Sequence, residues 1–253
     1  MPWRYWCDLL VVLASKEIKL RYRSSWLGYL WSVANPLAFA SLYFVAFGVF
    51  MRVSIPNYPL FLVAGLFPWH WIANSVSASP AVFLQNTTLL KKVRFPYSAL
   101  VAALVLSDGL HFVGAVPVLL VALSLHGVWP SWSWLGGLPL LAVAQFIFVY
   151  GVALGIASLN VFFRDLERLT AIGVVFLFFL TPVVYPEWMV PAQYRALIHA
   201  NPAALLVLAW RKLLLDGEID WSVVGGCYGA GCAVLGLGGW IYKRLSVRFA
   251  EMV

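Results

Sequence analysis

Residues 95–163 read FPYSALVAALVLSDGLHFVGAVPVLLVALSLHGVWPSWSWLGGLPLLAVAQFIFVYGVALGIASLNVFF and carry one charged side chain, Asp108. A helix that crosses the hydrocarbon core of a bilayer needs about 20 mostly apolar residues, so this run is long enough for two crossings. The turn-forming segment 126–134, with Gly127 and Pro130, divides it. A water-exposed fold needs polar side chains to cover its surface, and this stretch has almost none. The bilayer must be part of the solvent.

The rest of the chain agrees. Residues 24–51, 53–90, 169–186 and 221–242 carry no charge. Six spans are expected near 29–51, 60–83, 98–125, 135–160, 170–186 and 221–242. Charged residues make up 11% of the 253 and apolar types 63%, against about 25% charged in an ordinary soluble domain. Mean hydropathy is +0.88. The apolar run 9–14 is too short for the core of a secretory signal, so retained spans are expected to direct insertion. Cys7, Cys227 and Cys232 have no metal or disulfide spacing and read as inert thiols.

Basic residues fix the orientation. They concentrate in the N-terminal segment, around Lys91, Lys92 and Arg94, at Arg164 and Arg168, and at Lys243, Arg244 and Arg248. The opposite side holds only Arg52, Arg195, Arg211 and Lys212. Both termini are therefore expected in the cytoplasm. The net charge of +7 is a consequence of topology and gives no reason to invoke nucleic acid.

The fold class is all-α integral membrane, in two parts. Residues 1–26 form an interfacial amphipathic helix with a polar stripe of Asp8, Ser15, Lys19 and Arg23 and an apolar face of Trp6, Leu9, Leu10, Leu13 and Leu20. Glu17 and Arg21 form an i,i+4 pair. Residues 27–253 form the six-helix domain. In its last external loop, AALLVLAWRKLLL at 203–215 is apolar but too short to cross. Following Asn201-Pro202, it reads either as one limb of a re-entrant helical hairpin or as a surface-lying helix. Gly225 and Gly229 form a GxxxG in the last span, with Gly236, Gly238 and Gly239 nearby, so close helix contact is expected there.

No GxxxxGK[ST] phosphate loop is present. The histidines His70, His111, His126 and His199 are scattered, and no catalytic or metal constellation is visible. A membrane glycosyl or lipid transferase lacks its acid constellation here. An ion-coupled transporter would rest on Asp108, with His111 one turn further on. That pair is either a proton or substrate contact or a satisfied polar pair between packed helices.

Five segments then resemble one family. KEIKLRYRSSWLGYLWSVANPL at 16–37 is similar to the opening segment of the membrane subunits of type 2 ABC exporters of polysaccharide, through Glu17, Lys19, Arg21, Tyr22, Arg23, Leu27, Gly28, Trp31, Pro36 and Leu37. GLFPW at 65–69, NTTLLKKVRFP at 86–96, NVFFRDL at 160–166 and TPVVYP at 181–186 follow in the family's order. The resemblance covers nearly the whole chain and points to O-antigen export, with teichoic acid export as the near alternative.

The resemblance implies a homodimer above two ABC ATPase subunits in the bacterial inner membrane. ATP and Mg would be held by those partners, with no cofactor or metal in this chain. The N-terminal helix and the loop 85–96 would dock the ATPase through Glu17, Lys19, Arg21, Arg23, Lys91, Lys92 and Arg94. Residues 160–166 would form a short helix at the cytoplasmic mouth, capped by Asn160, with Phe163, Arg164 and Asp165 as a gate. The basic mouth would suit a lipid-pyrophosphate-linked polysaccharide. A polymer longer than the membrane needs a continuous channel, and aromatic rings grip sugar C–H faces while letting them slide. The lining candidates are Trp31, Phe39, Tyr43, Phe47, Phe176, Phe179 and Tyr185, with lipid packing or the interfacial belt as the alternative role for each ring.

Overall fold

The computed structural model describes residues 3–22, 28–93 and 95–249, and every regular element among them is helical. An N-terminal helix α1 (Trp3–Tyr22) leads to α2 (Trp31–Tyr43), which runs on as a π-helical turn over Phe44–Phe50. Next come α3 (Tyr58–Ala78), the short α4 (Val82–Gln85) and α5 (Thr87–Lys92), and the long α6 (Ser98–Leu125) and α7 (Ser133–Asn160). After α8 (Leu166–Leu180), a loop carries the short α9 (Arg195–Ala200). The chain then forms α10 (Pro202–Arg211) and ends in α11 (Trp221–Leu245).

Among the described residues four stretches are long and apolar enough to cross a bilayer: Val33–Phe50, Ser98–Leu125, Ser133–Asn160 and Trp221–Arg248. They match the first, third, fourth and sixth expected spans. The helix at the second, α3, has 21 residues but carries His70, Asn74, Ser75 and Ser77 among its apolar ones. The helix at the fifth position is displaced from 170–186 to Leu166–Leu180. Pro182 explains its early stop, since a proline disfavours helical backbone in the residue before it, and Thr181 is extended at φ −105°, ψ 132°. Its 15 residues reach about 22 Å at 1.5 Å each, short of the roughly 30 Å core.

The core lies where α3, α6, α7, α10 and α11 meet, with Leu62, Leu66, Ile72, Leu119, Leu206, Trp210 and Leu213 fully buried. The pairing of α7 with α11 is the most extensive, and glycines permit it. A Cβ on Gly238 would sit 2.1 Å from the Gly151 carbonyl oxygen, and one on Gly151 would sit 2.6 Å from the Leu235 Cα. The expected GxxxG does not make this contact: a Cβ on Gly225 or Gly229 meets nothing within 4 Å. The α7-facing stripe is Gly231 and Gly238, seven residues apart and so on one helix face.

By contrast α2 is hardly covered. Only 11% of Val33–Phe50 is buried. The α1 helix packs on α6 through Leu13 and Ala14, with Trp6, Leu9 and Leu10 half-buried. Leu20, expected on the apolar face, is exposed. In the 203–215 segment, α10 is not laid on the surface: Ala203, Leu206, Val207, Trp210 and Arg211 are buried against α3, α7 and α11.

Candidate functional site

The sparsely covered α2 lies against a polar ridge of α3. His70 and Asn74, one turn apart, face Asn35, and a hollow opens on either side of this line. Toward α8 a hollow of about 290 Å³ is walled by Phe39, Tyr43, Trp69, Phe178 and Phe179. Its rings form a chain. Phe39 follows Tyr43 at 6.2 Å, Tyr43 stacks on Phe178 at 5.4 Å, and Phe178 meets Trp69 at 5.4 Å and Phe179 at 5.3 Å. Such offset and tilted contacts hold rings in fixed planes.

Toward α6 a larger hollow of about 570 Å³ is lined by Trp31, Asn35, His70, Trp71, Asn74, Ser77, Asp108, His111 and Phe112 among others. Its wall is built rigidly. The Trp71 indole N–H donates to the Val105 carbonyl at 3.0 Å, and the ring stacks on Phe112 at 5.7 Å. Gly109 allows this, because a Cβ there would lie 2.6 Å from Trp71 Cζ2. The Ser75 hydroxyl donates to Asp108 Oδ2 at 2.7 Å, so the carboxyl is oriented from the neighbouring helix. His70 Nδ1 lies 2.7 Å from the Leu66 carbonyl. A carbonyl only accepts, so the proton sits on Nδ1.

The structure thus gathers four of the expected ring residues, Trp31, Phe39, Tyr43 and Phe179, along these hollows. Phe47 continues the row, 6.3 Å from Tyr43. Phe176 points away from both hollows and is 67% exposed, and the Tyr185 hydroxyl donates to the Phe179 carbonyl from outside them. Sequence reading missed Asn35, Trp69, His70, Asn74 and Phe178. A signal existed: polar residues at 70, 74 and 77 recur at helical spacing within the second apolar stretch.

A third hollow, of about 840 Å³, surrounds the NVFFRDL segment and is lined by Leu159, Phe162, Phe163, Arg164, Asp165 and Leu169 among others. Phe163, Arg164 and Asp165 are exposed there. The expected short helix capped by Asn160 is not formed. Asn160 is the last residue of α7, buried, and its Nδ2 donates to the Pro80 carbonyl at 2.9 Å. The break falls after it, at 161–165, because α7 keeps its helical backbone through Asn160.

On α1 and α5, Lys19, Lys91 and Lys92 are exposed and Glu17 is half-buried. Lys16 joins the two elements: its Nζ donates to Asn86 Oδ1 at the start of α5 and lies 3.8 Å from Glu17. Arg23 and Arg94 lie outside the described residues, as does the side chain of Arg21.

Two buried polar links tie α10 in place. Trp210 Nε1 donates to Gln145 Oε1 at 2.6 Å, and Gln145 Nε2 donates to the Pro68 carbonyl at 2.9 Å. Arg211 donates to the Pro182 and Val183 carbonyls at 2.9 and 2.8 Å. The TPVVYP turn is therefore held by a guanidinium from α10. Asn201 adds to this, accepting from the Ala203 N–H and donating to Thr181 Oγ1 at 3.1 Å.

Comparison with known proteins places this architecture. Residues 8–215 match the profile of the ABC-2 type transporter membrane family. An O-antigen export system permease protein RfbA of Klebsiella pneumoniae is 44% identical over 98% of this chain and 96% of its own length. A protein of the same name from Myxococcus xanthus is 34% identical over 83% and 82%. The polysialic acid transport protein KpsM of Escherichia coli is 24% identical over 82% and 81%. With a profile match over most of its length and 44% identity to an O-antigen export permease over 98% of the chain, this protein belongs to the ABC-2 type transporter membrane family.

Proposed function

We propose that this chain is the membrane subunit of an ATP-driven exporter that moves lipid-linked O-antigen across the bacterial inner membrane, through a channel between two copies of the chain. The observation that carries this reading is the aromatic groove along α2. A helix with 11% of its span buried and a row of rings at Phe39, Tyr43, Phe178 and Phe179 offers a surface on which a sugar chain can slide. Two such faces opposed across a dimer would enclose a path. The permease relatives, named for O-antigen export, support the cargo.

In this reading α3 and α8, the latter together with the buried turn 181–184 that follows it, complete six crossings, both termini are cytoplasmic, and α9 with α10 re-enters from the outer side. Two ABC ATPase subunits bind ATP and Mg and dock on Glu17, Lys19, Arg21, Arg23, Lys91, Lys92 and Arg94. Asn160, Phe163, Arg164 and Asp165 stand at the cytoplasmic mouth, where exposed Arg164 can meet the pyrophosphate of the lipid carrier. The test removes the gene from its host and restores either the wild type or Arg164→Ala with Asp165→Ala. Surface O-antigen should vanish on deletion, with lipid-linked polymer accumulating inside. The wild type should restore it, and the double variant should change ATP turnover of the purified complex. Normal surface O-antigen after deletion would overturn the proposal.

A further inference from the structure

After α11 the chain turns one ring inward. Ser246–Arg248 make a single 3₁₀ turn that leaves Val247 82% exposed and Arg248 in the open, yet Phe249 directly behind it is 1% exposed. Four rings enclose it: Phe83 at 5.0 Å, Tyr242 at 6.2 Å, Phe162 at 6.3 Å and Tyr97 at 6.5 Å. All four distances fall within the roughly 4.5–7 Å at which aromatic pairs attract.

The places from which those rings come matter. Phe83 and Tyr97 flank the loop 85–96, one on either side, and Phe162 belongs to the NVFFRDL segment and lines the hollow around it. Both ends of the loop therefore rest on Phe249, and so does the segment 160–166. Two hydrogen bonds fix the roots of these segments. Asn160 donates to the Pro80 carbonyl at 2.9 Å, which ties the end of α7 to the residues before Phe83, and the Ser98 N–H donates to the Tyr242 hydroxyl at 3.3 Å, which ties the start of α6 to α11. Phe162 stands in the turn beyond α7. A displacement of the loop thus reaches that turn through packed rings, because close-packed interiors have low compressibility and pass strain on.

We infer that Phe249 is a positioning residue, which transmits movement of the loop 85–96 to residues 161–165, so that the nucleotide state of the ATPase sets how open the mouth is. The inference rests on the export reading, in which the loop docks the ATPase and 160–166 stands at the cytoplasmic mouth, and adds the side chain that joins the two. The other use for a buried ring here is to pin the end of α11. A pin acts equally whatever the nucleotide, and a transmitting contact does not.

The test uses the full complex with its ATPase in lipid nanodiscs, with Cys7 and Cys232 replaced by serine and the buried Cys227 kept. Phe163→Cys, at an exposed position of the mouth segment, is the reporter. Its alkylation by N-ethylmaleimide is timed without nucleotide and again with ADP and vanadate, which trap the ATPase in one state. Mutations along a coupled network change the coupling by about two- to thirtyfold, so the two rates should differ at least about twofold with Phe249 present and become equal in Phe249→Ala. Should Phe249→Ala not assemble, Phe162→Ala cuts the same contact from a half-buried position and should give the same equality. A rate difference kept at full size in the variant that assembles, or loss of the complex in both, would assign the ring to a pin and overturn the inference. Retained ATPase is measured in parallel. A complex with Phe249 present that holds its ATPase but shows one rate in both states removes this inference and leaves the export reading standing, whereas a chain that holds no ATPase removes the reading as well.

Discussion

The Arg211 guanidinium carbon lies 3.6 Å from the centre of the Phe61 ring, stacked on α3 while its two terminal nitrogens donate to the carbonyls of Pro182 and Val183. Gly65 makes room for it, since a Cβ there would lie 2.4 Å from Nη2. One side chain thus joins α10, α3 and the turn after α8. Arg211→Leu should cost roughly 3 kcal/mol, because charged hydrogen bonds contribute about 1.5–3 kcal/mol each, and the detergent-solubilised protein should melt lower. Gly65→Ala should cost about 1–3 kcal/mol through overpacking. The two should be strongly non-additive, because removing the guanidinium frees the space that the new methyl needs. Additive losses in melting would refute the wedge.

Gln145 is the second tie, and its amide is used at both ends, accepting from Trp210 and donating to Pro68. Pro68, like any proline, has no N–H for the α3 ladder, and Gln145 adds a donor to the Pro68 carbonyl from across the helix interface. Gln145→Leu strands the buried Trp210 indole N–H and takes a second donor from the Pro68 carbonyl. The expected loss is roughly 1 kcal/mol, within the modest range for polar contacts between membrane helices. Trp210→Phe should cost less when Gln145 is already Leu than when it is present. Equal losses in the two backgrounds would show that the pair is not coupled.

Most helices were legible in the sequence because membrane crossing demands long uncharged runs, and the ends of α6, α7 and α11 follow turns and charges that interrupt those runs. What faces what was less legible. The sixth stretch carries several glycines, and only the distance to Gly151 shows that Gly238 is the one pressed against another backbone. His70 and Asn74 announce a polar face on α3, yet nothing in the local pattern says that Asn35 of α2 and Asp108 of α6 share the same hollow. Asn160 read as a helix start because asparagine favours that position. Its Nδ2 donates instead to the carbonyl of Pro80, eighty residues earlier in the chain.

The α7–α11 crossing gives a clean contrast between glycines. Gly238→Ala places a methyl 2.1 Å from the Gly151 carbonyl oxygen, so backbones must separate and the cost should reach about 1–3 kcal/mol or more. Gly225→Ala and Gly229→Ala meet open space and should leave folding unchanged. The yield of monodisperse protein after solubilisation reads the difference. If Gly229→Ala were the damaging change, the crossing would lie elsewhere on α11.

Asp220 caps α11, accepting from the Ser222 and Val223 N–H groups and pairing with Lys212 at 3.0 Å. Hydrogen bonds from the Ser222 hydroxyl, from Lys212 and from the Val223 N–H hold its carboxyl well below the usual carboxylate range. A depressed folded-state pKa stabilises the fold fully above the unfolded value of about 3.9, and this contribution is lost as pH falls through the folded value. Asp220→Ala should therefore melt below the wild type by a constant margin from neutral pH down to about pH 4. The margin should shrink as the medium is made more acidic. A margin independent of pH would mean that the carboxylate charge contributes nothing.

Lys91 and Lys92 are exposed on α5, and the Lys16–Asn86 hydrogen bond fixes α1 beside them, so one cationic surface is presented by two elements. If this surface docks the ATPase, its pairing is electrostatic and should weaken with salt, because exposed charges are screened over about 8 Å at physiological ionic strength. Lys91→Gln with Lys92→Gln should lower the ATPase retained on purification, and the deficit should widen between low and high salt. The same lysines also bias topology, so the variant is made with a fluorescent protein at its C-terminus that matures only in the cytoplasm. Bright cells with little retained ATPase assign the lysines to docking. Dark cells assign them to orientation, and bright cells with full retention remove them from the docking surface and leave Glu17 and Lys19 of α1 to carry it.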